Sequence, residues 1–234
     1  MPRTLIRELA QHIGQDVTIQ GWVHTIRDQK SIAFIIVRDH TGMVQVTIDK
    51  PNAERVAAVI PTLTRESTVT VSGRVSANTI VKLGGIEIHP TEFRVEGAAD
   101  PNLPLDPQAK VAPNVDVRMD WRFLDLRRPE NYLAFQVETT ALAAMHEFWK
   151  RENFIELQTP KLLATASESG AELFSLEYFG RPAYLAQSPQ FYKQMAMAAG
   201  FEKVFEVGQV FRANPSFTSR HDTEFTMYDM RFHL

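Results

Sequence analysis

Alternation of apolar and polar positions dominates the chain from residue 16 to residue 95. DVTIQGWVHTI (16–26), SIAFIIVRD (31–39), MVQVTID (43–49), STVTVSGRV (67–75) and GGIEIHPTEFRV (84–95) are rich in β-branched and aromatic residues. Turn chemistry such as Asp39-His40-Thr41-Gly42 separates them, which predicts five strands. One interruption has a different period. In PNAERVAAVIPTL (51–63), Val56, Val59, Ile60 and Leu63 recur at helical spacing.

Five strands with a helix after the third is the order of an OB-fold, a small barrel that commonly binds oligonucleotides on one face; another small barrel is the alternative. The pattern is lost over EGAADPNLPLDPQAKVAPNVDV (96–117), where Pro101, Pro104, Pro107 and Pro113 mark a linker. A basic segment follows, with Arg118, Arg122, Arg127 and Arg128. It reads as a solvated hinge surface or as a contact for nucleic-acid phosphates.

Beyond the linker the period becomes helical. Pro129 suits a first helical turn, and Phe135, Leu142, Met145 and Trp149 then define one stripe of a long amphipathic helix reaching Arg151. FIELQTPKL ends a short strand near Pro160, and the remainder alternates loop, helix (PQFYKQMAMAAG) and strand. Without regular βαβ alternation, this predicts an α+β unit built on an antiparallel sheet. The expected organisation is a barrel over 1–97, a linker over 98–128 and an α+β unit over 129–234.

Composition changes this picture little. The chain is 44% hydrophobic and 23% charged with a formal net charge of −3, so nucleic-acid binding would require a local basic patch. Absence of cysteine excludes disulfides and thiolate metal sites. MPRTLIRELAQHIG has no apolar core typical of a secretory signal, and no apolar run approaches the roughly 18 residues of a membrane span. The expectation is a soluble, cytoplasmic protein.

Candidate chemistry gathers at the ends of elements in the second half. ATASESGAELF (164–174) is a small-residue loop with Glu168, either a solvated carboxylate or a clamp for an ammonium group. In YLAQSPQFYKQ (184–194), Ser188-Pro189 opens a helix, and Gln190 and Lys193 share a face. Lys193 reads either as an exposed lysine or as an inward one, which would require an anionic partner. VFRANPSFTSRHDTEF (210–225) places Arg212 and Arg220 on either side of a hairpin mouth, with His221 beside Arg220 and Phe225 beyond. Guanidinium groups there suit a carboxylate or phosphate, and Phe225 is either core or a stacking surface for a flat ring.

Taken together, the barrel, the linker, LDLRRPE and these segments resemble the aspartyl-tRNA synthetases of the archaeal and eukaryotic-like type, built on the class II core. FIELQTPKL is similar to motif 1, the homodimer interface around Pro160. VFRANPSFTSRHDTEF is similar to motif 2, which holds ATP and the tRNA acceptor end.

The resemblance implies that Glu168 takes the ammonium of L-aspartate. Gln190, Phe191, Tyr192 and Lys193 form the amino-acid pocket, with Lys193 toward the side-chain carboxylate. Arg212 bridges the substrate carboxylate and the α-phosphate. Ala213, Asn214, Arg220, His221, Asp222 and Phe225 complete the ATP site. In the barrel, Arg27, Phe34, Gln45 and Glu87 fall at anticodon-contacting positions. His24 and Lys82 fall at positions that discriminate tRNA-Asp from tRNA-Asn, and their signals disagree.

Asn214 stands where the family usually has glutamate. Nothing similar to motif 3 precedes Leu234, and the Mg²⁺-binding acids are expected in that part of the family's sequence. The expectation is therefore a partial catalytic unit, either a piece of a synthetase or a shortened, non-catalytic tRNA-binding relative. Asparaginyl- and lysyl-tRNA synthetases share the layout, but a cation at Lys193 suits a carboxylate better than an amide or an ammonium.

Overall fold

The computed structural model describes residues 2–165, 173–215 and 221–232, and it divides into two compact units, Met1–Asp125 and Leu126–Leu234. In the first unit, β1 (Asp16–Asp28), β2 (Ile32–Arg38), β3 (Met43–Asp49), β4 (Thr68–Ala77) and β5 (Ile86–Gly97) close a barrel in the order β1-β2-β3-β5-β4. Closure comes from a short parallel pairing, Gln45 with Glu87 and Val46 with Ile88.

The alternation in sequence becomes inside and outside. Ala33, Ile35 and Val37 of β2 and Val46 and Ile48 of β3 are fully buried, while the residues between them face outward. β1 pairs with β4 through its first half and with β2 through its second, with a bulge between Val23 and Thr25. Gly21 lies beside that change of partner. A Cβ there would stand 2.3 Å from the carbonyl oxygen of Arg38. Gly21→Ala is therefore expected to destabilise the chain by about 1–3 kcal/mol through overpacking against backbone. Urea denaturation of both proteins checks this; an unchanged midpoint would mean that β1 relaxes freely at this point.

The helix expected over 51–63 is broken into α1 (Glu54–Ala57) and a 3-10 turn (Ile60–Thr62), because Pro61 lacks the N–H that a continuous helix needs. Its apolar positions still serve the barrel: Val56, Ile60 and Leu63 join the core. A 3-10 helix over Ile6–His12, for which the alternation predicted nothing, adds Ile6 and Leu9 to that core. Asp39 fixes it by accepting from the Ile6 N–H at 3.0 Å.

Part of the proline-rich stretch packs on the barrel. Leu105 is buried, Arg65 pairs with Asp106, and Gln108 donates to the carbonyl of His24 at 2.9 Å. Further on, α2 (Val115–Asp120) and α3 (Arg122–Asp125) bring Arg118 and Arg122 onto the buried carboxylate of Asp125. The hydrogen bond from Arg118 is the largest influence, and with the remaining Arg118 and Arg122 interactions it outweighs burial and holds that carboxyl below its usual range. These two arginines, read from sequence as candidate phosphate contacts, are thus engaged within the chain.

In the second unit, α4 (Pro129–Arg151) runs as expected, but none of its residues is buried. A sheet of order β11-β10-β6 lies beside it, formed by β6 (Ile155–Glu156), β10 (Lys203–Phe211) and β11 (Glu224–Phe232). β10 and β11 are antiparallel, whereas β6 runs parallel to β10, so the sheet is mixed rather than purely antiparallel. A second sheet is antiparallel, with β9 (Arg181–Leu185) between β7 (Leu162–Leu163) and β8 (Ser175–Tyr178).

Candidate catalytic hairpin and nucleic-acid interface

The register of β10 with β11 decides what shares a face. Val210 lies opposite Phe225, Gly208 opposite Met227 and Glu206 opposite Asp229. Residues of the other parity, Phe205, Tyr228 and Phe232, turn toward α4 and its neighbours. His146 meets the rings of Phe205 and Tyr228, Trp149 stacks on Phe205, and Phe154 meets Phe232 edge-on. One hairpin face thereby packs through aromatic rings, and the opposite one carries the carboxylates of Glu206 and Asp229 between the buried Val204 and Val210.

Arg212 follows β10 in the parity of that second face. Its guanidinium lies over the ring of Phe225, 5.6 Å from the centroid. The chain around it is pinned: the Arg212 N–H donates to the Thr223 carbonyl at 2.9 Å, and the Phe211 N–H donates to Ala186 at 2.9 Å. The second bond ties the strand end to the segment leading into α5 (Gln190–Ala198). That helix begins at Gln190 rather than Pro189, and Ser188 accepts from the Gln190 N–H at 3.3 Å.

Lys193 of α5 is buried, with 3% exposure, and its ammonium contacts the Asp229 carboxylate. Of the two sequence readings for this lysine, the inward one holds, and the anion beside it is supplied by the chain itself. Asp229 was missed from sequence. Its signal is a carboxylate inside EFTMYDMRF, at the parity of Phe225.

Lys193, Arg212 and Phe225 therefore belong to one face. Gln190 and Tyr192 are half-buried on α5, and Phe191 is exposed, meeting Tyr192 edge-on. Ala213 and Asn214 are half-buried after Arg212, and His221 and Asp222 are exposed before β11. Pro160 is exposed just after β6. Glu168 and Arg220 lie outside the described residues.

On the barrel, register brings four of the expected nucleic-acid contacts to one outer face. Arg27 is opposite Phe34, Phe34 opposite Thr47, and Gln45 opposite Glu87. Phe34 is half-buried and points away from the core. Glu87 accepts from Gln45 at 3.1 Å, Thr47 at 2.5 Å and Asn78 at 2.8 Å. Burial acts to raise its pKa, but those three donors outweigh burial and hold it below the usual range. The carboxylate is charged at neutral pH and held in place by those donors. Thr47 and Asn78 were missed because their role appears only when β3, β4 and β5 meet.

His24 occupies the β1 bulge and lines a cleft of about 730 Å³ with Arg65, Asp106 and Gln108. Burial, then the Arg38 charge, lowers its pKa, so the ring is neutral near pH 7. Lys82 is exposed in the turn from β4 to β5.

Comparison with known proteins follows the same division. Residues 114–234 match the family described as tRNA synthetases class II (D, K and N), and residues 17–96 match the OB-fold nucleic acid binding domain. Among curated relatives, an Aspartate--tRNA(Asp/Asn) ligase of Methanopyrus kandleri is 46% identical over 218 residues, 93% of this chain and 50% of the relative. An Aspartate--tRNA(Asp) ligase of Pyrococcus horikoshii is 45% identical over 90% of this chain and 48% of its own length. The chain thus spans about half the length of the curated relatives it matches.

Among solved structures, the asparaginyl-tRNA synthetase of P. horikoshii in complex with asparaginyl-adenylate aligns with a TM-score of 0.90 at 33% identity, covering 98% of this chain and 52% of that one. A putative aspartyl-tRNA synthetase of Leishmania major aligns at 0.88 and 30% identity, covering 100% and 48%.

Proposed function

The chain belongs to the class II tRNA synthetases of the D, K and N group, and from that premise we propose that it carries the anticodon-reading barrel and part of the activating core of an aspartate–tRNA ligase. The observation that carries this reading is the hairpin face that joins Arg212 and Phe225 to the buried Lys193–Asp229 pair.

Activation is an attack by the aspartate α-carboxylate on the α-phosphate of ATP. It forms aspartyl-adenylate and expels pyrophosphate, after which the aspartyl group passes to a hydroxyl at the 3′ end of tRNA and AMP leaves. The substrate carboxylate is already a nucleophile, so this chemistry requires alignment and charge neutralisation. Arg212 bridges the two reacting groups, where its charge offsets the negative charge of the transition state. Phe225 offers a ring face to adenine while holding the guanidinium. Lys193 presents a cation toward the substrate side chain, with Gln190, Phe191 and Tyr192 around it. Glu168 takes the substrate ammonium, and Ala213, Asn214, Arg220, His221 and Asp222 line the phosphate chain.

Class II synthetases use ATP with Mg²⁺. Among the described residues, no group of three or more acidic or histidine side chains forms a metal site. A second copy of the chain is the proposed partner of α4, whose Tyr132, Leu133, Phe135 and Val137 are exposed, and of the segment around Pro160. We place the activity in the cytoplasm.

Aspartate-dependent ATP–pyrophosphate exchange by the full-length polypeptide tests the reading. Exchange with asparagine instead would favour the alternative raised by the asparaginyl-tRNA synthetase likeness. Absence of exchange with any amino acid, alongside retained tRNA binding, would favour a non-catalytic relative.

For the barrel, Phe34 supplies a stacking face for an anticodon base beside the Gln45–Glu87 pair, with Arg27 at the backbone. His24 and Lys82 would then set the preference between tRNA-Asp and tRNA-Asn. Phe34→Ala is expected to weaken binding of tRNA-Asp transcript by about 10-fold, since one stacked base contributes about 1–3 kcal/mol. A filter-binding titration at fixed salt reads this out, and equal affinity of the two proteins would remove Phe34 from the interface.

A further inference from the structure

A second ion pair, between the half-buried Lys161 and the buried Glu206, lies next to Lys193–Asp229 and has no part in the reading above. The Glu206 carboxylate, 3% exposed, accepts from the Lys161 ammonium at 2.5 Å, from the Thr159 hydroxyl at 2.8 Å and from the Thr159 N–H at 3.2 Å. Both donor residues come from the segment around Pro160, between β6 and β7. The register sets Glu206 directly opposite Asp229 on the same face of the hairpin. Opposed residues of an antiparallel pair hold their Cβ atoms roughly 5 Å apart, and like charges there repel. Each carboxylate is compensated by a lysine from outside the hairpin, Lys161 for Glu206 and Lys193 for Asp229.

Gly208 makes room for this arrangement. A Cβ on it would stand 3.1 Å from both the Glu206 carboxylate and the Lys161 Nζ, and 3.2 Å from the Lys161 Cε. The missing side chain leaves the path along which Lys161 crosses β10 to reach Glu206. A glycine inside a strand often marks such a close approach.

We propose that Lys161 and Glu206 form a positioning pair that keeps Lys193 on Asp229 and facing the amino-acid pocket, and so tune selection of a substrate with a side-chain carboxylate. The inference rests on the aspartate reading of that pocket. Loss of Lys161 leaves a buried carboxylate one strand away from the Lys193 ammonium. The strongest available compensation is then for Lys193 to swing toward Glu206, away from the substrate.

Two measurements test this, and one is independent of activity. In a crystal structure of the Lys161→Met chain, the Lys193 ammonium is expected to leave Asp229 for Glu206. A Lys193–Asp229 contact unchanged from the parent would overturn the proposal whatever the substrate proves to be.

In exchange assays on the full-length polypeptide, Lys161→Met is expected to raise the KM for aspartate by roughly tenfold, equivalent to about 1.4 kcal/mol of coupling. The KM for ATP should stay within about twofold. Lys161→Arg should restore most of the loss, and Lys161→Met combined with Glu206→Gln should restore part of it, because the uncompensated charge is gone. Equal losses in both KM values with no recovery in the double variant would identify a purely structural pair and sink the positioning role. A parent protein inactive with aspartate counts against the proposed function, and the crystallographic comparison then decides the positioning role alone.

Discussion

Arg212→Met is expected to lower aspartate-dependent ATP–pyrophosphate exchange by the full-length polypeptide on the order of 10²–10³-fold or more, with little change in folding stability. The magnitude is that of deleting one preorganised donor aimed at charge developing in a transition state. Arg212 sits at the end of β10, where its backbone is fixed by bonds to Thr223 and Ala186 and its guanidinium lies over Phe225. Its position is thus set before substrate arrives, so little reorganisation is needed during the reaction. The planar fork can span a carboxylate and a phosphate together, which the point charge of a lysine does not reproduce. Arg212→Lys should therefore recover only a small part of the loss. Exchange within threefold of the parent for Arg212→Met would remove this residue from the reacting centre.

The largest loss of stability is expected at Asp229. Asp229→Ala leaves the ammonium of Lys193, 3% exposed, without its carboxylate, and removal of one partner from a buried pair costs about 3–5 kcal/mol. The double variant Asp229→Ala with Lys193→Met removes both charges and is expected to regain most of that loss, because a buried methionine requires no partner. Chemical denaturation of the four proteins forms the cycle. A double variant no more stable than Asp229→Ala alone would show that the pair has no special coupling and that Asp229 acts through packing. The double variant should remain inactive toward aspartate even if it is stable, which separates the role of the pair in folding from its role in the pocket.

The barrel was legible in sequence because a half-buried strand writes its burial into alternate residues. β2 is the plainest case, where Ala33, Ile35 and Val37 face inward while Phe34 and Ile36 do not. Turn residues then marked where each run stopped. The 3-10 helix over Ile6–His12 left no such trace, since it contributes only Ile6 and Leu9 to the core and is held by a carboxylate distant in sequence, Asp39. The long helix from Pro129 to Arg151 was readable from its period, yet its exposure was not, because periodicity names an apolar face without naming what covers it.

Local chemistry and chain order were enough to mark Arg212 and Lys193 as candidates, since one stands at a strand edge and the other near a helix start, whereas Phe34 and Glu87 were singled out only by the family resemblance. Their partners were not legible. Asp229 meets Lys193 across 36 positions of sequence, Lys161 meets Glu206 across 45, and Glu87 meets Gln45 across 42. A β-register shifted by a single residue would turn every one of these strand side chains to the opposite face. Sequence by itself determined the two-part architecture and which residues carry charge or a ring. Only the tertiary structure decided which charges neutralise each other and which side chains share a face of the hairpin, because those outcomes depend on pairing between distant strands rather than on the propensity of any one segment.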